Sequence, residues 1–243
     1  MSDQRSRSML ARGLSILRCF RPGEPELQLS EIARRADIPK ATAHRIIAEL
    51  VEEGMLERGE RGLRLGVALF TLGTRVPRQL KLRDLAFPYA EQLHHVTRGS
   101  AFIFISDSCG RDPALVDAVR RVPGAGARPG VEDEAWASAR AAARVFHAFG
   151  AASPERPPAA PRAEVEGEVG RVRNQGFAAV RGATGAVGIA APLLTTPGTA
   201  VGALAVTGPH GRLQVAGAVS HLRAACAAVS RALQRTPELA PAH

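Results

Sequence analysis

The run Ser30-Glu31-Ile32-Ala33-Arg34-Arg35-Ala36-Asp37-Ile38-Pro39-Lys40-Ala41-Thr42-Ala43-His44-Arg45-Ile46-Ile47-Ala48-Glu49-Leu50 holds two short amphipathic segments around a tight turn. The Ser30 hydroxyl suits a helix N-cap, and Glu31 suits the positive end of the helix dipole. Ile32, Ala33 and Ala36 supply the buried side of that helix. Asp37 tolerates the left-handed backbone that the Asp37-Ile38-Pro39 connector needs. Pro39 is pre-set for the first turn of a further helix reaching about Glu53, with Gly54 closing it at C′. Two alternating runs follow, Met55–Arg58 and Leu63–Leu65, joined by Gly59-Glu60-Arg61-Gly62. That is the pattern of a β-hairpin. From Ser30 to Gly66 the order is therefore helix, turn, helix, hairpin.

At 3.6 residues per turn the second helix places Ala43, Ile46, Ile47 and Leu50 on one side. Its other side carries Lys40, Ala41, His44, Arg45 and Ala48. Any packed three-helix unit has an apolar and a polar face, so amphipathicity alone does not point to a ligand. The order of elements with a basic hairpin tip does, and it suits DNA. Small Ala41 and Ala48 allow close approach to a major groove, and Arg45 and His44 can reach base edges. Lys40 and Thr42 can meet phosphate, and Arg61 with Arg64 would form a wing on the adjacent backbone. The expected DNA-contacting set is Ser30, Pro39, Lys40, Ala41, Thr42, His44, Arg45, Arg61 and Arg64.

Before this motif, helical spacing runs from Ser8 to Phe20 and stops at Gly23-Glu24-Pro25. After it, Val67 to Arg83 reads as a bridging helix interrupted by Gly73 and Pro77, and Pro88 sits near the start of another helix, Tyr89 to Thr97. Leu69, Phe70, Leu72, Leu80, Leu82 and Leu85 form either a surface coupling two chains or an intrachain core. Strands are expected at Ala101–Ser106, Leu115–Val119, Val187–Leu193 and Ala200–Val206, with turns at 107–112 and Thr196-Pro197-Gly198. Helices are expected at Glu134–Phe149, Ala163–Gln175 and Val215–Leu233, with a Pro-rich loop at Ser153–Pro161. The fold class is α+β: an N-terminal winged helix-turn-helix (1–66), a linker helix (67–84), a C-terminal α/β domain with a mainly antiparallel sheet (85–236) and a loose tail (237–243).

The 243 residues carry 32 Lys+Arg against 23 Asp+Glu, a net charge of +9. Residues 1–84 hold 16 basic and 11 acidic side chains, so the excess is denser there. Only Lys40 and Lys81 are lysines; with abundant Ala, Gly and Pro this reads as high-GC coding bias. Cys19, Cys109 and Cys226 are odd in number and far apart, which fits a reducing cytoplasm rather than a disulfide framework. No signal peptide or membrane span is read. His94-His95 point about 100° apart on a helix without a third ligand, so no metal is expected. Asp107, Asp112 and Asp117 are not read as a catalytic set, since Asp107 and Asp112 belong to a turn; Cys109 reads as a turn cysteine, and Ser106–Gly110 lacks a nucleophile elbow. Gly182–Gly188 lacks a P-loop pattern. Neither an enzyme nor a cofactor is expected.

Several segments resemble the IclR-type bacterial transcription regulators. They are Leu14-Ser15-Ile16-Leu17, Leu29 to Arg35, Ile38 to Ile47 and Leu63-Arg64-Leu65-Gly66, then, more weakly, Arg173 to Ala178, Ile189 to Pro192 and Ala203 to Pro209. The resemblance implies that the KSTVHRLL-like helix reads an operator and that an RLG sequence closes the wing. It also implies a GAF-like domain that binds a small organic effector and helps assemble dimers or dimers of dimers. The family's first serine of the reading helix is Ala41 here. At the HATALGK-like helix start the chain has Trp136-Ala137-Ser138-Ala139-Arg140-Ala141-Ala142, and Gly188 stands at the usual cysteine. The implied effector residues are Trp136, Ser138, Val187 and Gly188, a set poor in hydrogen-bonding groups. The alternative is a ligand-independent regulator, a developmental one among the options, whose C-terminal domain only mediates dimerisation or protein contacts.

Overall fold

The computed structural model describes residues 8–20, 24–106, 113–120, 131–150, 162–196, 198–209 and 211–236. The turn expected at 107–112, the loop at 153–161 and the tail lie outside them. The chain forms two compact units, Met1–Pro77 and Arg78–His243.

In the first unit, α1 (Met9–Leu17) is capped by Ser8, whose hydroxyl accepts from the Ala11 amide at 3.1 Å. Next come α2 (Leu29–Ala36) and α3 (Lys40–Glu52), then the hairpin β1 (Leu56–Arg58) and β2 (Leu63–Leu65), and α4 (Val67–Gly73). Ile16, Ile32, Ala43, Ile46, Ile47 and Leu56 meet in one apolar core. Asp37 adopts the left-handed conformation (φ 54°, ψ 54°), as the connector requires. Gly54 does so at φ 66°, letting the Met55 amide bond back to Leu50 at 2.8 Å. A β-carbon at Gly66 would collide with the Gly54 carbonyl, so only glycine lets the hairpin return this close to the end of α3.

Two helix starts differ from the expectation. Leu27 pairs with Leu63 (2.9 and 2.8 Å), holding the chain extended up to Gln28, whose carbonyl then accepts the first bonds of α2. The cap is therefore Gln28, with no side-chain cap bond, and Ser30 lies exposed inside the first turn. Pro39 is the N-cap of α3 rather than a residue of its first turn.

The second unit runs α5 (Pro77–Thr97), β3 (Ser100–Ile105), β4 (Ala114–Val119), α6 (Val131–Phe149), α7 (Arg162–Gln175), β5 (Ala178–Arg181), β6 (Ala186–Thr196), β7 (Thr199–Pro209) and α8 (Val215–Gln234). Its five strands form an antiparallel sheet in the order β4-β3-β7-β6-β5. Successive strand side chains point to opposite faces. Ala101, Ile103, Val187, Ile189, Leu204 and Val206 pack with α5 and α8. Phe102, Phe104, Ala190, Ala203 and Ala205 pack with α6 and with Val172 of α7.

Pro88 does not begin a new helix; α5 continues through it. Proline in a helix interior costs roughly 3 kcal/mol in isolation. Leu82, Ala86, Ala90 and Leu93, on one face either side of Pro88, are all buried in the sheet-facing core and offset that cost. Strand β5, only four residues long, was not legible in the sequence. Among the described residues no helix is long and apolar enough to cross a membrane.

Candidate nucleic-acid interface

Helix α3 buries Ala43, Ile46 and Ile47 and exposes Lys40, Ala41, His44, Arg45 and Ala48, with Thr42 half-buried. Its polar face is thus the one the sequence assigned to the groove. The Arg45 guanidinium stays exposed and reaches the Met9 sulfur of α1 at 3.6 Å.

An ion network fixes α2 beside it. Arg35 is mostly buried and pairs with Glu24 and Glu31, while donating to the Cys19 carbonyl at 3.0 Å. Glu31 also accepts from Arg34 at 2.9 and 2.7 Å. Hydrogen bonds from Arg34 and then Arg35 hold the Glu31 carboxyl down at about 2. Arg35 is therefore committed to structure, and the polar face of α3 remains for a partner.

At the hairpin, Leu56 pairs with Leu65 and Arg58 with Leu63. The two expected wing arginines differ in circumstance. Arg61 stands exposed at the tip, and its amide donates to Glu26 at 2.8 Å. Arg64 is drawn across the hairpin to Glu57 at 2.9 Å. The Val67 amide and then Arg64 hold the Glu57 carboxyl below its ordinary range. A groove between α3 and the hairpin is lined by Gln28, His44, Ala48, Arg58 and Gly62. Gln28 and Arg58 were not singled out from sequence; alternation places Arg58 on the outer side of β1, and that was the available signal.

Of the expected effector residues, Ser138 and Gly188 are brought together, backbone against backbone, while Trp136 and Val187 lie apart from them. Trp136 is 51% exposed on α6. Ser138 is fully buried, its hydroxyl donating to the Ala135 carbonyl at 2.8 Å. Val187 faces the α5/α8 side of the sheet, whereas Gly188 faces α6, as neighbours on a strand must. A β-carbon at Gly188 would strike the backbone of Ala137 and Ser138, so helix and strand are in direct contact there. Two acidic residues that sequence reading passed over secure this contact. Asp133 accepts from the Ala183, Thr184 and Ala186 amides (2.8, 3.0 and 3.2 Å) and from the Thr184 hydroxyl (2.6 Å). The hydroxyl, above all, keeps the Asp133 carboxyl below its usual range. Glu134 accepts from Ser100 and Thr207, both at 3.3 Å. Cys19 and Cys226 are buried, and burial pushes the Cys226 thiol up to about 12. His94 bonds through Nδ1 to the Gly99 carbonyl, and no group of three metal-ligating side chains occurs among the described residues.

A helix-turn-helix whose second helix exposes a polar face beside a hairpin is a winged-helix DNA-binding domain. Residues 9–60 match the IclR helix-turn-helix domain. The chain is 38% identical over 86 residues to the HTH-type transcriptional regulator TsaQ1/TsaQ2 of Comamonas testosteroni, covering 35% of this chain and 31% of that one. It is 36% identical over 86 residues to the glycerol operon regulatory protein of Streptomyces coelicolor, covering 35% and 34%. The matched stretch thus spans about a third of these relatives. A solved IclR homolog from Microbacterium hydrocarbonoxydans, complexed with 4-hydroxybenzoate, superimposes over 94% of this chain and 100% of its own, with a TM-score of 0.67 and 25% identity. Residues 9–60 are thus similar to an IclR helix-turn-helix domain, and the described chain shares its fold with a solved IclR homolog.

Proposed function

We propose that the chain is a sequence-specific transcription regulator that reads a double-stranded DNA operator as a dimer or a dimer of dimers. The observation that carries the reading is the exposed polar face of α3, Lys40 to Ala48, beside the Arg61 wing. Residues 1–66 would read DNA, 67–84 would link, and 85–236 would serve oligomerisation and any effector. This reading places it in the cytoplasm, without a cofactor and without enzymatic chemistry. Selection of bound duplexes from a random pool tests it. Enrichment of a (pseudo)palindromic site, with half-sites one helical turn or a multiple apart, is expected. No enrichment over the input pool would refute it.

The contact of Gly188 with the Ala137 backbone favours a second reading for the C-terminal unit, that it takes no simple organic acid. The Glu134 carboxylate sits against Ser100 and Thr207 on the same face of the sheet, where a second carboxylate would be repelled. Burying an unpaired carboxylate is prohibitive. Calorimetric titration with pyruvate, glyoxylate and hydroxybenzoates should therefore be silent at millimolar levels, and DNA affinity indifferent to them. A saturable heat that disappears in Ser138→Ala would overturn this reading.

A further inference from the structure

The residues before α2 do more than lead into the helix. A single antiparallel bridge between Leu27 and Leu63 holds the chain just before α2 against the hairpin. This brings the Glu26 carboxylate to the hairpin turn, where it accepts the Arg61 amide at 2.8 Å. The turn itself is closed by the Gly59 amide on the Gly62 carbonyl at 2.8 Å. Both glycines answer to this neighbour. A β-carbon at Gly59 would run into the Glu26 carboxylate, and one at Gly62 would meet the Leu27 carbonyl oxygen at 2.5 Å. Arg61 is held by its backbone while its side chain stands exposed, whereas Arg64 is committed to Glu57.

We propose that Glu26 is a positioning residue for DNA binding: by holding the Arg61 amide it fixes the wing tip in the place from which the Arg61 guanidinium meets the phosphate backbone. This rests on the reading of the first unit as a DNA-binding domain. The proposal has a sign that simple electrostatics does not share. A carboxylate beside a polyanion repels it, so by charge alone removing Glu26 should tighten binding and steepen its salt dependence. Positioning demands the opposite. A backbone amide donating to a carboxylate is a charge-assisted bond, so losing it frees the turn that carries Arg61.

The test uses the full chain, a random-sequence duplex of roughly 30 base pairs and a duplex selected by the wild-type chain; backbone contacts act on both. Glu26→Ala should weaken binding to both by roughly three- to tenfold, the net effect of losing one ordinary hydrogen bond at a half-exposed site. Its salt slope should flatten toward that of Arg61→Ala, and the double variant should bind no worse than Arg61→Ala alone. Glu26→Gln keeps an acceptor and drops the charge, so it should bind at least as well as wild type. Gly59→Ala, whose methyl displaces the carboxylate, should reproduce Glu26→Ala and decides the matter if that variant does not fold. Tighter or unchanged binding by Glu26→Ala, or losses that add to those of Arg61→Ala, would overturn the proposal. A wild-type chain that binds neither duplex would instead overturn the DNA-binding reading itself.

Discussion

The side chains of α3 divide into those that build the domain and those left for a partner, and Arg45 is the residue on which the second group turns. It is exposed and its nearest polar contact is the weak Met9 sulfur. Guanidinium groups read guanine edges bidentately. Arg45→Ala should therefore cost ~1–3 kcal/mol on the selected duplex and relax preference at one position. Arg61→Ala should weaken all sequences alike and reduce the salt slope by about one unit. An unchanged footprint in Arg45→Ala, measured by anisotropy and DNase protection, would remove α3 from the groove. Glu31 makes a prediction about stability instead. Its folded value of about 2 lies below its ordinary 4.5. The stabilisation is complete above about pH 4.5 and is lost as pH falls toward 2. Trp136 and Tyr89 both lie in the second unit. Protection of α2 and α3 amides from hydrogen exchange is thus the suitable probe of the first. Over that window Glu31→Gln should lose less protection than wild type. These faces were legible because exposure on a helix follows from period alone. The Arg64–Glu57 and Arg61–Glu26 pairings were not, since they join residues that only the hairpin register and the Leu27 bridge bring together.

Elements were legible where local chemistry and burial agreed. Asp37 and Gly54 mark left-handed turns by residue type, and the structure has positive φ at both. Pro88 misled because its local penalty is overridden by the buried row Leu82, Ala86, Ala90 and Leu93, of which the sequence pattern put Leu82 in one helix, Ala90 and Leu93 in another and Ala86 between them. Strand β5 escaped notice because Ala-Ala-Val-Arg carries little β signal of its own and gains its place from pairing with β6. The same dependence on tertiary context governs Gly188. Its register partner is Thr207 on one side and Val180 on the other, while the α6 backbone lies over it. A methyl there meets the Ala137 carbonyl and the Ser138 amide, atoms that cannot rotate away. Gly188→Ala should then destabilise the second unit by ~1–3 kcal/mol, the usual cost of overpacking. Thermal unfolding followed by Trp136 fluorescence reads this directly; a melting temperature equal to wild type would mean that α6 lifts off the sheet freely.

For the whole molecule the question is what a second copy would hold. One winged helix contacts too little DNA for specific recognition, and paired half-sites need a fixed spacing of roughly 34–36 Å or a multiple. Of the leucines set aside for coupling chains, Leu82 is buried against the sheet and Leu85 packs beside it, so these belong to the intrachain core. Phe70, Leu72 and Leu80 remain exposed, and in the first unit Leu10 and Leu14 on α1 join Val67 and Phe70 on α4. Leu10 and Phe70 are each 73% exposed, which is costly for large apolar side chains on a lone monomer. Leu10 and Leu14 lie one turn apart on a single face, as do Val67 and Phe70, the arrangement of a helical docking stripe. Sedimentation at micromolar concentration should give a dimer or a larger even assembly. Leu10→Glu combined with Phe70→Glu should shift it toward monomer and weaken the palindromic site far more than a single half-site. The helix-turn-helix core would be untouched, since neither residue is buried in it. A wild-type monomer that binds one half-site per chain, or a double variant whose assembly and palindrome affinity are unchanged, would place the dimer contact elsewhere or remove it altogether.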